Sequence, residues 1–195
     1  MFSCRVAVPI TPYHFGPSGF VGLVFRRWLD LPVLLLANVI VDVEVLVIGW
    51  MGLGWPPHRY LHTLFWGALA GAVWGAAAYT IKPLFEDLMR LLRLEYKTSL
   101  LKMIVSGVLG CWLHAVVDAF YHNDVRLFWP NMRLSMVTIV RRWFGNPSTR
   151  LIQGYVEGIC AVLFAAAVLL YIVILVRSLR KKGIQSRHSS SDLCD

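Results

Sequence analysis

The sequence predicts an all-α membrane protein, a multi-span helical bundle of about four transmembrane helices with a short re-entrant or interfacial helix ahead of them. Three observations carry this. Apolar residues fill 57% of the 195 positions and charged residues only 15%, where a soluble domain has about 45–50% and about 25%. Four separate apolar runs approach the ~20 residues needed to cross a bilayer. Lysine and arginine outnumber aspartate and glutamate 19 to 11, an excess that membrane topology explains more simply than nucleic-acid binding. The length leaves room for one domain.

The first run extends from about Leu31 to Leu53 and the second from about Leu61 to Ile81, "LHTLFWGALAGAVWGAAAYTI". The Gly and Ala content of the second lets helices approach closely in lipid. The third covers roughly Met103 to Tyr121 and the fourth Leu151 to Val176. Ahead of the first, "GPSGFVGLVFRRW" is too short to span upright. Between the second and third runs, "KPLFEDLMRLLRLEYK" is amphipathic and expected on the membrane surface. Residues 122–150 read as irregular. Residues 1–176 thus form a membrane-embedded domain, followed at 177–195 by a basic, Ser-rich tail expected to be disordered.

Met1 to Thr11 shows no basic n-region leading into an apolar h-region, so no cleavable signal is expected. The four cysteines, Cys4, Cys111, Cys160 and Cys194, are scattered and suggest neither a disulfide framework nor a cysteine zinc site. With both termini inside, twelve lysines and arginines flank the spans on the cytoplasmic side against six outside, Lys102 at a helix start being left out. The positive-inside rule therefore places both termini in the cytoplasm. Trp50, Trp55, Tyr60 and Trp129 lie near span ends and read as an interfacial aromatic belt.

Alternating spans bring the end of the first, the start of the second and the end of the third to one membrane face. The unusual polar residues gather there: Asp42 and Glu44 in the first, His58 and His62 at the opening of the second, His114, Asp118 and His122 closing the third. His14 precedes them in the short N-terminal segment. Residues four apart share a helix face, so His114, Asp118 and His122 form one stripe. His58 and His62 form another if the second helix begins early enough. Asp42 and Glu44 are about 200° apart on a helix and cannot both face one metal. Either the β-branched "VDVEVLVIG" unwinds near Asp42 or only one of the two is a ligand. Singly, each residue has an ordinary explanation as a helix–helix hydrogen-bond partner, Asp118 with Arg126 or Glu44 with Arg59. Together they leave too many costly intramembrane groups to explain separately. Imidazole with carboxylate suits zinc, manganese or iron.

This pattern resembles the LexA-regulated, membrane-bound metal-dependent hydrolases. That family has an N-terminal His, an Asp-x-Asp closing an apolar run, a His-Arg…His-[Ser/Thr] element, and a His-x-x-x-Asp followed twelve residues later by Pro. The corresponding residues are His14 in "PYHFG", Asp42 and Glu44 in "VDVEV", His58, Arg59, His62 and Thr63 in "HRYLHT", and His114, Asp118 and Pro130 in "HAVVDAFYHNDVRLFWP". The likeness covers roughly residues 10–135. Glu44 stands where the family has its second Asp, and Val45 where a His often follows. The ligand order is also distantly similar to that of zinc-dependent phospholipase C and P1-type nucleases.

The resemblance implies a hydrolase with one or two divalent ions, zinc or manganese, held by His14, Asp42, Glu44, His58, His62, His114 and Asp118. Glu44 would alternatively serve as general base, and Arg59 would neutralise an anionic phosphate. A site at the membrane boundary suits a phosphoester or lipid-linked substrate, with the basic 122–150 loop recruiting anionic headgroups. Localisation in the cell's inner membrane follows, with the lipid bilayer as the main partner. The alternatives are a metal-ion or proton-coupled transporter, which should show paired half-sites or a repeat, and a non-catalytic protein with a closed structural metal.

Overall fold

A computed structural model describes residues 14–54, 56–122, 124–131 and 134–191, with side chains placed through Arg180. The stretch read for a signal sequence, Trp55 of the aromatic belt and the side chains of the tail from Lys181 lie outside that description. The described residues form seven α-helices: α1 Phe15–Val24, α2 Leu31–Trp50, α3 Leu64–Ala78, α4 Lys82–Leu91, α5 Leu100–Tyr121, α6 Met136–Trp143 and α7 Thr149–Ser191. Four helical stretches are long and apolar enough to cross a membrane: α2, α3 with α4 (Leu64–Leu91), α5, and Thr149–Arg180 of α7.

Local chemistry fixes where the helices begin. Asp30 caps α2, its carboxylate accepting the Val33 N–H at 3.2 Å, and Pro32 sits in the first turn, where a missing N–H costs nothing. Thr63 caps α3 through the Trp66 N–H, and Ser99 caps α5 through the Lys102 N–H. Each cap satisfies one of the four amides that a helix start leaves unpaired. The 20 residues of α2 make about 30 Å of helix, the thickness of a hydrocarbon core.

Small residues fix how the helices meet. Gly67, Gly71 and Gly75 recur every fourth residue and are buried on one face of α3. A Cβ on Gly71 would stand 2.5 Å from the carbonyl oxygen of Gly107, and one on Gly75 2.5 Å from that of Met103. Gly110 lets α5 meet α2 in the same way, against Ala37 and the Leu34 carbonyl. Close backbone approach of this kind is what holds helices together where lipid removes the hydrophobic driving force. α5 is therefore the central helix, with α2 and α3 against it. α1 is wedged between α2 and α7, Gly16 lying directly under the Cys160 carbonyl.

Three segments differ from expectation. α2 runs unbroken through Asp42 and Glu44 to Trp50, so the β-branched stretch does not unwind. α3 passes through a 3-10 turn at Tyr79–Ile81 into α4, which buries Phe85 and Met89 against the bundle. The irregular 122–150 stretch contains α6, and α7 continues as helix to Ser191 across part of the segment expected to be disordered.

Candidate metal centre

His114 and Asp118 lie one turn apart on α5 and are 1% and 2% exposed. Asp42 reaches them from α2. α3 begins only at Leu64, so His58 and His62 do not form a helical stripe. They come from the loop between α2 and α3, which folds back into the bundle and buries both rings. His14, at the start of α1, closes the group from the remaining side.

The donor atoms converge. His114 Nε2 lies 3.0 Å from Asp118 Oδ2 and 3.2 Å from Asp42 Oδ1. His62 Nε2 lies 3.3 Å from Asp118 Oδ2 and 4.0 Å from Asp42 Oδ1. One donor atom from each of Asp42, His62, His114 and Asp118 falls within 4.8 Å of all the others. Both Nε2 atoms are fully buried, yet neither makes an aligned hydrogen bond among the described residues. A buried polar atom without a hydrogen bond is costly. Two such nitrogens beside two carboxylates, near but not aimed at one another, have the geometry of ligands directed at a common cation. Two imidazoles and two carboxylates form a donor set that could hold a divalent metal ion.

Asp118 also belongs to a second group. Donor atoms of His58, Asp118 and His122 again lie within 4.8 Å of one another. The His58 and His122 rings are 4.2 Å apart. Burial and the neighbouring His58 both lower the pKa of His122, which keeps it neutral and able to ligate.

A carboxylate behind each loop histidine fixes its orientation. His58 Nδ1 lies 2.8 Å from Asp124 Oδ2, which also accepts the His58 backbone N–H at 3.3 Å. Burial works against the Asp124 anion, but the hydrogen bonds from His58 outweigh it and hold its carboxyl below the usual range. Glu44 Oε2 lies 3.1 Å from His62 Nδ1, and the Glu44 carboxylate also accepts the Tyr60 and Leu61 N–H groups at 2.6 and 3.0 Å. An Nδ1–H donated to a carboxylate leaves Nε2 free to bind metal, the usual outer support of metal-bound histidine.

Glu44, Arg59 and His14 stand outside both groups of converging donors. The unbroken α2 turns Glu44 to the Nδ1 side of His62, where it supports that ring. Arg59 does not face the cluster. Its Nε donates to the Pro56 carbonyl at 2.9 Å and its Nη2 to that of Leu53 at 2.8 Å, which braces the loop. His14 Nε2 pairs with the outer oxygen of Asp118 at 2.7 Å, its ring stacked 4.5 Å from that of His114, so it steadies a donor instead of joining the four. His58 belongs to the second group. No spacing in the sequence marks Asp124, and His122 stands only at the edge of a stripe. The spacing of His122 from Asp118 is the one signal that pointed inward. Comparison with protein-family models, with curated proteins and with solved structures finds no match.

Proposed function

We propose that the protein is a membrane-bound, metal-dependent hydrolase acting on a phosphoester or lipid-linked substrate at the membrane boundary. The observation that carries this reading is the convergence of Asp42, His62, His114 and Asp118, with two buried imidazole nitrogens lacking any aligned hydrogen bond. A divalent ion there, zinc or manganese, would supply Lewis acidity toward water and a phosphoryl oxygen.

 The chain's own residues do the rest. Glu44 and Asp124 hold His62 and His58 in the tautomer and orientation that present Nε2. His14 fixes the outer oxygen of Asp118. Asp42, 22% exposed at its side chain, is where the buried group opens toward water. The second group, sharing Asp118, supports room for a second ion and hence for clamping both sides of a phosphoryl displacement. A closed structural site would stop at four ligands, so this additional donor set favours catalysis over a structural metal. Placement in the cell's inner membrane with both termini cytoplasmic completes the proposal, on the distribution of basic residues.

The test is elemental analysis of the detergent-purified protein beside His114→Ala and Asp118→Ala, followed by assays on phosphoester, acyl ester and amide panels. The expected result is bound zinc or manganese in the parent, its loss in both variants, and turnover of a phosphoester by the parent alone. Equal metal content in all three proteins would sink the site. Metal without turnover on any panel would favour a structural or transport role.

A further inference from the structure

At the opposite end of α2 and α5 from the histidines, a cleft of about 520 Å³ is lined by Arg26, Arg90, Arg93 and Arg177, with Leu94, Glu95, Ile174 and Ser178 completing its wall. We propose that this cleft binds the phosphate of an acidic phospholipid headgroup. The inference is independent of the hydrolase reading.

The four arginines come from three distant parts of the chain: the turn after α1, the end of α4 with the loop that follows, and α7. The positive-inside rule accounts for arginines on this face, but not for their convergence on one cavity, where like charges repel. Arg90 has a carboxylate neighbour, Asp87 at 3.2 Å, and Glu95 lies in the cleft wall. Arg26, Arg93 and Arg177 form no ion pair among the described residues. Three guanidinium groups without an ion-pair partner, against the single Glu95 carboxylate in the wall, match a phosphate, which each can contact through a pair of N–H donors. Leu94 and Ile174 add an apolar wall suited to the start of an acyl chain, and basic pockets between spans are a recurrent way of holding anionic headgroups.

A second observation comes from the backbone. α4 ends in a Schellman turn: the Leu94 N–H donates to the Met89 carbonyl at 2.9 Å and the Arg93 N–H to the Arg90 carbonyl at 3.0 Å. The residue after the cap in such a turn is left-handed and usually Gly. Here it is Arg93, with φ of 56°. A side chain is thus kept where its absence would relieve strain, and that side chain lines the cleft.

The experiment uses the full chain in detergent. Binding of short-chain phosphatidylglycerol, phosphatidylcholine and inorganic phosphate is measured by native mass spectrometry and by the shift in thermal midpoint. Phosphatidylglycerol is expected to bind at least tenfold more tightly than the other two. Arg26→Gln with Arg177→Gln should weaken it at least tenfold. Arg93→Gly should weaken it several-fold while leaving the lipid-free midpoint unchanged or higher, an outcome that a purely structural Arg93 would not give. Arg142→Gln, an exposed arginine in the last turn of α6, should leave it unchanged. Equal binding of phosphatidylcholine, inorganic phosphate as effective as the lipid, or an equal loss in Arg142→Gln would each overturn the assignment.

Discussion

Two buried polar clusters sit at opposite ends of α2 and α5, and they are built on opposite principles. Around Asp30, every strong donor and acceptor is matched. One carboxylate oxygen accepts the Val33 N–H, the other accepts the Tyr96 hydroxyl at 2.7 Å and the Thr98 hydroxyl at 2.5 Å, and the Asp30 N–H donates to Ser106 Oγ at 2.6 Å. Burial and the Asp30 carboxylate raise the pKa of Tyr96 far above its ordinary value, so it remains a donor at every physiological pH. Around Asp118 the reverse holds: donors crowd together, and the imidazole nitrogens closest to the carboxylates lack aligned hydrogen bonds. A matched cluster pins α2, α5 and the loop between α4 and α5 without needing anything else. An unmatched one is stable only at a cost that a bound cation offsets. The difference separates a structural knot from a candidate site more sharply than burial does, since Asp30 and Asp118 are both almost fully buried.

The contrast breaks first at α5. His114→Ala is expected to lower turnover by at least about a thousandfold, as loss of a catalytic group commonly does. The metal-free protein should lose no more stability than truncation of a buried ring costs by itself, about 3 kcal/mol, because the nitrogens removed have no aligned hydrogen bonds. Thermal unfolding in chelator compares the two, and a large loss of metal-free stability would make the cluster a second structural knot. Asp30→Ala should do the opposite. Orphaning the Tyr96 and Thr98 hydroxyls and uncapping α2 should cost about 3 kcal/mol of stability, while metal content per folded molecule stays unchanged.

Smaller changes probe the same contrast more finely. Glu44→Gln and Asp124→Asn keep the shape of the orienting groups but remove their charge, and each should weaken metal binding by about 10–100-fold, read by competition with a chelating dye. If Glu44 were itself a ligand, the loss would approach that of His114→Ala. Tyr96→Phe removes one hydrogen bond from the Asp30 knot and should cost about 1 kcal/mol, with no change in metal affinity. A measurable change in metal affinity would show that the two ends are coupled through α2 and α5.

The difference in legibility between the two clusters follows from the range over which each is encoded. The pairing of His114 with Asp118 is a one-turn relation within α5, so spacing exposes it. The Asp30 knot went unrecognised because Tyr96, Thr98 and Ser106 are far from Asp30 in the chain; only its role as a cap, an Asp ahead of "LPVLLL", was there to be read. The positions of Glu44 and Arg59 are hard to read from the sequence for a related reason. Spacing showed that Asp42 and Glu44 could not face one point, but not which of them would face the histidines.

The four apolar stretches, the short helix before them, and the shared helix face of His114 and Asp118 are all encoded locally. These rest on length, composition and the 3.6-residue period, all of which act locally. Which donors meet across helices is fixed at the level of helix packing. That depends on how far each helix is rotated and slid against the next, which is set by close backbone contacts such as Gly71 on Gly107 and Gly110 on Leu34. Those contacts turn Asp42 inward and Glu44 behind His62, and they bring the loop histidines to Asp118.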